Sequence, residues 1–180
     1  RNTFHFTGQN LWFYAVAVVP LAQVFALEFT SPLWVAVLAP LVLGERMTQV
    51  RAFAAVMGFV GILIVTRPSV ETFHIGLVAA AAAAIFFALT IMLTKRLTRD
   101  NSITSILFFL TTIQLVFGLI TAGYDGDITL PNAASLPFLV LVGCAGLLAH
   151  FCLTKALSIA PATVVVPIDF ARLPVIAIVA

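Results

Sequence analysis

The sequence predicts an all-α protein that is built as a polytopic bundle of transmembrane helices, and three observations support this. Hydrophobic residues make up 62% of the 180 residues and charged residues only 9%, whereas a soluble domain carries about 25% charged residues. The apolar residues are gathered into runs near the ~20 residues that a helix needs to cross the hydrocarbon core. The runs lack the period-two alternation of strands, and the alanines at 79–84 favour a helix.

Seven apolar segments are long enough to be candidate spans, and each is expected to be one helix. In chain order they cover residues 3–19, 20–43, 50–66, 74–93, 103–122, 136–159 and 162–180. The first is the most polar, and the second starts at Pro20, which suits the first turn of a helix. Short polar connections separate the segments, so neighbouring helices are expected to run antiparallel. The chain starts at Arg1 and stops inside an apolar run, so we expect it to be part of a longer protein.

Basic residues are distributed unequally between the two sides of the predicted bundle. If the connections alternate, one side receives only Arg67, together with the acidic connection that carries Asp125 and Asp127. The other side receives Arg1, Arg46, Arg51, Lys95, Arg96, Arg99 and Lys155. Because cytoplasmic loops are rich in Lys and Arg, we expect the second group to be cytoplasmic. The net charge of +2 and the lack of a basic aromatic patch argue against a nucleic-acid partner.

A weak internal repeat relates residues 14–39 to residues 155–180 at a constant offset of 141 residues. Under that offset Pro20 corresponds to Pro161, and Glu28 corresponds to Asp169. The two copies are expected to cross the membrane in opposite directions. Inverted repeats of this kind are common in secondary transporters.

Two acids and one base are predicted to lie near the middle of the membrane. Glu28 and Asp169 each come about eight residues into their segment, and Arg172 shares a helix face with Asp169. An ionised residue at that depth costs about 2.5–3.5 kcal/mol, so it normally faces a wet cavity or a partner. We expect a substrate-binding or proton-binding site, with an internal ion pair that only joins helices as the alternative.

A polar stripe on the first segment is a second candidate part of the site. His5, Gln9 and Trp12 share one helix face. The other polar residues of this region are Asn10, Tyr14 and Gln23. These side chains are expected to line a cavity, and hydrogen bonding between helices is the alternative.

The remaining reactive residue types are interpreted as structural. His150 is expected to be a packed histidine, and Glu45 a solvated acid at a helix end. Cys144 and Cys152 are too far apart on one helix to form a disulfide with each other. No spacing typical of metal ligands is present, and we expect neither a metal nor a cofactor.

The segment ALEFTSPLWVAVLAPLVLGERMT at 26–48, followed by AFAAVMGFVGILIVTRP at 52–68, resembles the repeat of EamA-type drug/metabolite transporters. GQNLWFYA at 8–15 and IDFARLP at 168–174 are also similar to that superfamily. The resemblance implies ten helices in two inverted five-helix repeats, of which about seven would be present here. Residues 1–68 would be the second part of the first repeat, and residues 74–180 most of the second. The resemblance also places Glu45 in a recurrent Gly-Glu pair, with Gly44, and implies a structural role for it at a helix end.

The resemblance further implies a secondary transporter in the bacterial inner membrane that works by alternating access at the repeat interface. Its substrates would be amino-acid-like, nucleobase-like or vitamin-like solutes, and no enzymatic activity is expected. The lipid bilayer is an expected partner, protons are a candidate coupling ion, and a homodimer is one open alternative. The competing functions are a membrane scaffold without transport and an intramembrane enzyme.

Overall fold

A computed structural model of the chain describes residues 1–46, 48–66, 74–126, 128 and 130–172. The side chains of Asp169 and Arg172 lie outside this description, as do Arg67, Asp127 and the end of the seventh predicted segment.

All regular elements of the described residues are helices, in agreement with the predicted class. The helices are α1 (Asn2–Val18), α2 (Leu21–Glu28), α3 (Ser31–Leu43), α4 (Gln49–Thr66), α5 (Ile75–Leu97), α6 (Ile103–Ala122), α7 (Leu136–Ile159) and α8 (Ala162–Ile168), followed by a 3₁₀ helix (Asp169–Arg172). Four stretches are long and apolar enough to cross a membrane: Leu21–Leu43, Ile75–Leu97, Ile103–Ala122 and Leu136–Ile159. Within the described part of the chain, fewer segments than the predicted seven therefore meet that criterion.

The prediction of one continuous helix over residues 20–43 is wrong, because α2 ends at Glu28 and α3 begins at Ser31. Pro32 lies in the first turn of α3 and has no N–H to donate to the carbonyl group of Glu28, four residues earlier. The hydroxyl group of Thr30 donates to the carbonyl oxygen of Leu27 at 2.6 Å, which supports the turn. The break therefore follows from local chemistry.

A second break lies at the position that the repeat relates to the first. The helix α8 ends at Ile168, and the chain continues as the 3₁₀ helix from Asp169. Pro167 lies inside α8 and removes a donor there. Glu28 and Asp169, which the offset of 141 residues pairs, thus both stand where a regular helix ends.

The helix α5 lies at the centre of the bundle, and it packs against α1, α2 and α3. Its buried face is made of small side chains: Gly76, Ala79, Ala80, Ala83, Ala84 and Ala88. Small residues let helix backbones approach closely, which is how helices associate in lipid. The helix runs to Leu97 rather than the predicted Leu93, and Lys95 and Arg96 in its last turn complement the helix dipole.

Contacts place the predicted cytoplasmic basic residues at one end of the bundle. The Arg1 Nε donates to Thr94 Oγ1 at 2.7 Å, which joins the start of α1 to the end of α5. Arg99 reaches the carbonyl oxygen of Leu43 at 3.0 Å, at the end of α3. These contacts bring the start of α1 and the ends of α3 and α5 together, and we call this end of the bundle the basic end.

Candidate functional site

A cavity of about 530 Å³ lies between α1, α5, α7 and the two helix breaks. From the first break it receives Glu28, Phe29, Ser31 and Pro32, and from the second break Ile168. The other lining residues are Arg1, His5, Phe87, Thr90, Ile91, Thr94, Ala149, His150, Cys152, Leu153, Ala156, Val165 and Val166. Most of this surface is apolar, with a few hydrogen-bonding groups among the described residues, which is the usual composition of a small-molecule site.

Glu28 is positioned by the end of α2 and by the indole of Trp12. The Trp12 Nε1–H donates to Glu28 Oε2 at 2.6 Å, across the α1–α2 turn. An indole nitrogen can only donate, so this bond holds one carboxylate oxygen in a fixed orientation. Trp12 was predicted to line the site, and the structure gives it a supporting position behind the acid.

The histidines His5 and His150 meet at the wall of the cavity. Their ring centroids are 4.8 Å apart and the rings are nearly perpendicular, at 87°. His5 also contacts Phe87, with ring centroids 6.2 Å apart. His150 is therefore not an isolated packed residue, as its sequence context suggested, but one half of a pair that joins α1 to α7.

Phe29 and Phe170 stack at the junction of the two breaks, with ring centroids 5.7 Å apart. Phe29 is almost fully buried, with 1% of its surface exposed. Gly58 of α4 leaves room for the Phe170 ring, because a Cβ atom at Gly58 would lie 2.3 Å from that ring. The two phenylalanines correspond under the repeat offset, so the repeat positions lie in contact.

The structure separates the remaining predicted site residues. Gln9 and Gln23 are half-buried, and neither is among the residues that line the cavity. Asn10 is exposed and donates to the carbonyl oxygen of Phe6 in its own helix, at 2.8 Å. Tyr14 is 45% exposed on the same side of α1. The structure thus brings His5, Trp12 and Glu28 together and leaves Asn10 and Tyr14 on the outer face.

Comparison of the sequence with known protein families identifies the family of this chain. The sequence profile of the EamA-like transporter family matches residues 3–67 and 74–180. The chain belongs to that family. The EamA resemblance inferred from the sequence motifs is confirmed.

Curated relatives are transporters from several bacteria. A riboflavin transporter of Brucella anthropi is 35% identical over 173 residues, which cover 93% of this chain and 61% of the relative. An S-adenosylmethionine uptake transporter of Rickettsia bellii is 30% identical over 180 residues, covering 100% and 61%. A riboflavin transporter of Vibrio cholerae is 32% identical over 170 residues, covering 93% and 56%. The chain spans about three fifths of the length of these relatives.

A solved protein structure has the same fold, with a TM-score of 0.74 at 19% identity. The match covers 96% of this chain and 61% of that chain. The apolar spans and the bacterial relatives make this EamA-family chain a multi-pass integral protein of the bacterial inner membrane, as predicted. Its family is one of transporters rather than of enzymes.

Several residues at the cavity of this EamA-family protein were not singled out from its sequence. Thr90 and Thr94 line the cavity one helical turn apart, and each hydroxyl group donates to the carbonyl oxygen four residues earlier in α5. Their spacing of four residues within a long apolar helix was an available signal. Phe87 and Ser31 carry no such signal, because their sequence surroundings resemble those of lipid-facing or packed positions.

For Glu45, the solvated acid that the residues alone predicted is wrong, whereas the structural role at a helix end that the resemblance implied agrees with its contacts. Its carboxylate accepts hydrogen bonds from the backbone N–H groups of Ala162 and Thr163, at 2.9 and 3.1 Å. It therefore caps the first turn of α8, far away in the sequence. Only the tertiary structure brings these two turns together.

Proposed function

We propose that the full-length protein is a secondary transporter that moves a small organic metabolite through the cavity described above. The observation that carries the proposal is the position of the cavity between two repeat-related helix breaks, at Glu28 and at Asp169. In transporters with inverted repeats, broken helices near the middle of the membrane form the substrate site. Relative motion of the two repeats would expose that site alternately to each side of the membrane.

The chemistry of the lining supports a substrate with a flat heteroaromatic ring. Phe87 offers aromatic surface, and the imidazoles of His5 and His150 can donate or accept hydrogen bonds. Riboflavin and S-adenosylmethionine, for which the relatives are named, both contain a fused nitrogen heterocycle. Of the three solute classes that the resemblance implies, the nucleobase-like and vitamin-like classes fit this lining better than amino-acid-like solutes.

Roles for the individual residues follow from their positions. Glu28 would accept hydrogen bonds from ring nitrogens of the substrate, while Trp12 orients its carboxylate. Asp169 and Arg172 would contribute from the second repeat, on the strength of their repeat relation and helix spacing. Gln9 and Gln23 would support α1 and α2 behind the site. Asn10 and Tyr14 are left out of the proposed site because they lie on the outer face of α1.

The other proposed partners follow from the same arrangement. The exposed apolar side chains of α6 and α7, such as Phe108 and Phe138, would face lipid. Protons are the proposed coupling ion, with Glu28 as the carrier, because an acid at a helix break within the membrane can bind and release a proton. The division of the chain at residues 68–74 into parts of two repeats and the homodimer both stay predictions.

The test is a ligand-stabilisation screen of the full-length protein in detergent, with riboflavin, S-adenosylmethionine and unrelated metabolites. A ligand that binds only the folded state stabilises it by about 2.7 kcal/mol at a hundred times its dissociation constant. We expect a heteroaromatic hit that is lost in Glu28→Gln and retained in Asp100→Asn, a carboxylate-to-amide substitution at an exposed turn position. Hits that Glu28→Gln leaves unchanged, or no hits, would favour the membrane scaffold without transport.

A further inference from the structure

The carboxylate of Glu45 joins the end of α3 to the start of α8. Besides the two backbone N–H groups, it accepts a hydrogen bond from the Thr163 hydroxyl group at 2.9 Å. Gly44 makes this contact accessible, since its φ of 67° is left-handed and turns the chain away from α3. The glycine and the acid of the Gly-Glu pair therefore have separate physical tasks.

Arg51 of α4 completes the contact from the other side. Its Nη1 donates to Thr163 Oγ1 at 3.0 Å and to the carbonyl oxygen of Arg46 at 3.2 Å. The Thr163 hydroxyl group thus donates to a carboxylate and accepts from a guanidinium. Such charge-assisted bonds are stronger than neutral ones.

Two further cations close a ring of contacts at the same end. Lys95 Nζ donates to the carbonyl oxygens of Leu157 and Ala160, at 2.6 and 2.8 Å, and so holds the end of α7. Arg99 Nη2 donates to the carbonyl oxygen of Leu43, at the end of α3. The contacts run from α3 to α8, α7, α5 and back to α3. We call Glu45, Arg51, Lys95, Arg99 and Thr163 the basal clamp.

The basal clamp lies next to the basic end of the cavity. Thr94, which lines the cavity, directly precedes Lys95, and Val165 and Val166 follow Thr163 by less than one turn. Glu45 and Arg51 come before residue 68, whereas Lys95, Arg99 and Thr163 come after residue 74. The clamp therefore connects the parts of the chain that are assigned to different repeats, at the point where an opening to the basic side would form.

We propose that the basal clamp is the gate of the transporter on the basic side, and that this structure shows it closed. The inference rests on the proposed function. The hydrogen bonds of the basal clamp involve polar groups at helix ends, and the side chains of Arg99 and Arg46 are exposed. Water can replace such bonds when the gate opens, whereas a packed apolar contact would lose its burial. Loading or release of substrate on the basic side requires the Glu45–α8 contact to separate.

The test measures access to the cavity and does not depend on knowing the substrate. Ser31 lines the cavity and is buried, so a membrane-impermeant maleimide can report access to Ser31→Cys in the full-length protein whose native cysteines are replaced by Ser. The protein is reconstituted in vesicles, and the reagent is added from one side at a time. We expect Glu45→Gln and Thr163→Val to raise the labelling rate from the basic side about tenfold, as loss of one charge-assisted bond implies. Labelling from the opposite side should not rise.

The matched control is Thr98→Val. The Thr98 hydroxyl group is at the same end of the bundle but donates to the carbonyl oxygen of Lys95 in its own helix, at 2.7 Å. We expect its labelling rate to match that of the unsubstituted protein. An unchanged rate in both clamp variants, or an equal increase from both sides, would overturn the gate.

A second experiment closes the gate and guards against variants that fold poorly. Glu45→Cys and Thr163→Cys are added to this Ser31→Cys reporter protein and joined by oxidation to a disulfide before labelling, and the reporter protein without the pair is oxidised in parallel as the control. We expect the disulfide to suppress labelling of the Ser31→Cys reporter from the basic side in the pair but not in the control, and a reductant to restore it. Failure of the pair to cross-link, or labelling that the cross-link does not change, would count against the clamp as a gate. Either result leaves the ligand screen, and so the proposed function, to be judged separately.

Discussion

Phe29 and Phe170 stack on each other with an interplanar angle of 22°, although they are 141 residues apart in the chain. Each follows the acid of its repeat copy, Glu28 or Asp169, and each lies at the break of its helix. When equivalent residues of two repeats touch each other, a pseudo-two-fold axis must pass close to their contact. For the inverted repeat that the sequence predicts, this axis runs beside the cavity, where inverted repeats place a substrate site.

Truncation of Phe29 should destabilise the protein strongly. Its ring is buried against Phe170, so Phe29→Ala would leave a void at the junction of the repeats and cost on the order of 3 kcal/mol. Phe108→Ala is the control, because that ring is 61% exposed on α6. Thermal unfolding of the full-length protein in detergent checks the difference. Equal losses in the two variants would show that the Phe29 contact carries no special weight.

Removal of the indole donor should weaken ligand binding. Trp12→Phe keeps the aromatic surface but removes the N–H that holds Glu28, and we expect affinity for the stabilising ligand to fall about tenfold. Trp34→Phe is the matched substitution, on a residue of α3 that is 39% exposed. Dissociation constants from ligand-dependent thermal shifts give the comparison. A smaller effect for Trp12 than for Trp34 would contradict the orienting role.

The two cavity histidines should be energetically coupled. Because the His5 and His150 rings contact each other, His5→Ala and His150→Ala should be non-additive by about 0.5–1.5 kcal/mol in thermal stability. His74 caps the start of α5, where its Nδ1 accepts from the N–H of Gly76. The His5 and His74 pair should therefore be additive. Additivity in both double-mutant cycles would show that the ring contact contributes nothing measurable.

The closest approach of α1 to α5 should not tolerate a larger residue. A Cβ atom at Gly8 would lie 3.0 Å from the Cβ of Phe86 and 3.1 Å from the ring of Phe87. Gly8→Val should cost about 1–3 kcal/mol through overpacking. Gly61→Val of α4 is the control, since nothing lies within 4 Å of a Cβ atom there. The melting temperatures of the two variants measure this difference. Similar values would mean that α1 and α5 can move apart without a loss of stability.

Much of the architecture could be predicted from local signals. The helix α6 begins and ends where the apolar run 103–122 does, and α7 matches the run 136–159, because a lipid-length apolar segment has no better option than a helix. The break after Glu28 was missed, although Pro32 signalled it. In a soluble protein the same proline would indicate a helix boundary. Here the continuous apolar run over residues 20–43 favoured one long helix instead.

The candidate site was only partly predictable. Helix periodicity shows which residues share a face, but it does not show which other helices that face contacts. His5 and Trp12 were expected at a cavity. The structure places His5 in the cavity wall and Trp12 in contact with the carboxylate of Glu28. Asn10 directly follows Gln9 on the same helix, and its side chain is exposed on the outer face. A sequence pattern cannot tell which of two adjacent polar faces meets α5 and α7.

The sequence by itself determined the membrane-spanning helical class, and it predicted the repeat that pairs Glu28 with Asp169 and the gathering of basic residues at one end. These depend on composition, on periodicity and on short-range chain geometry. Only the tertiary structure decided that His5 meets His150, that Phe29 meets Phe170 and that Glu45 caps α8. Contacts between residues 117 to 145 positions apart arise from how helices pack, and packing depends on side-chain shapes from several helices at once.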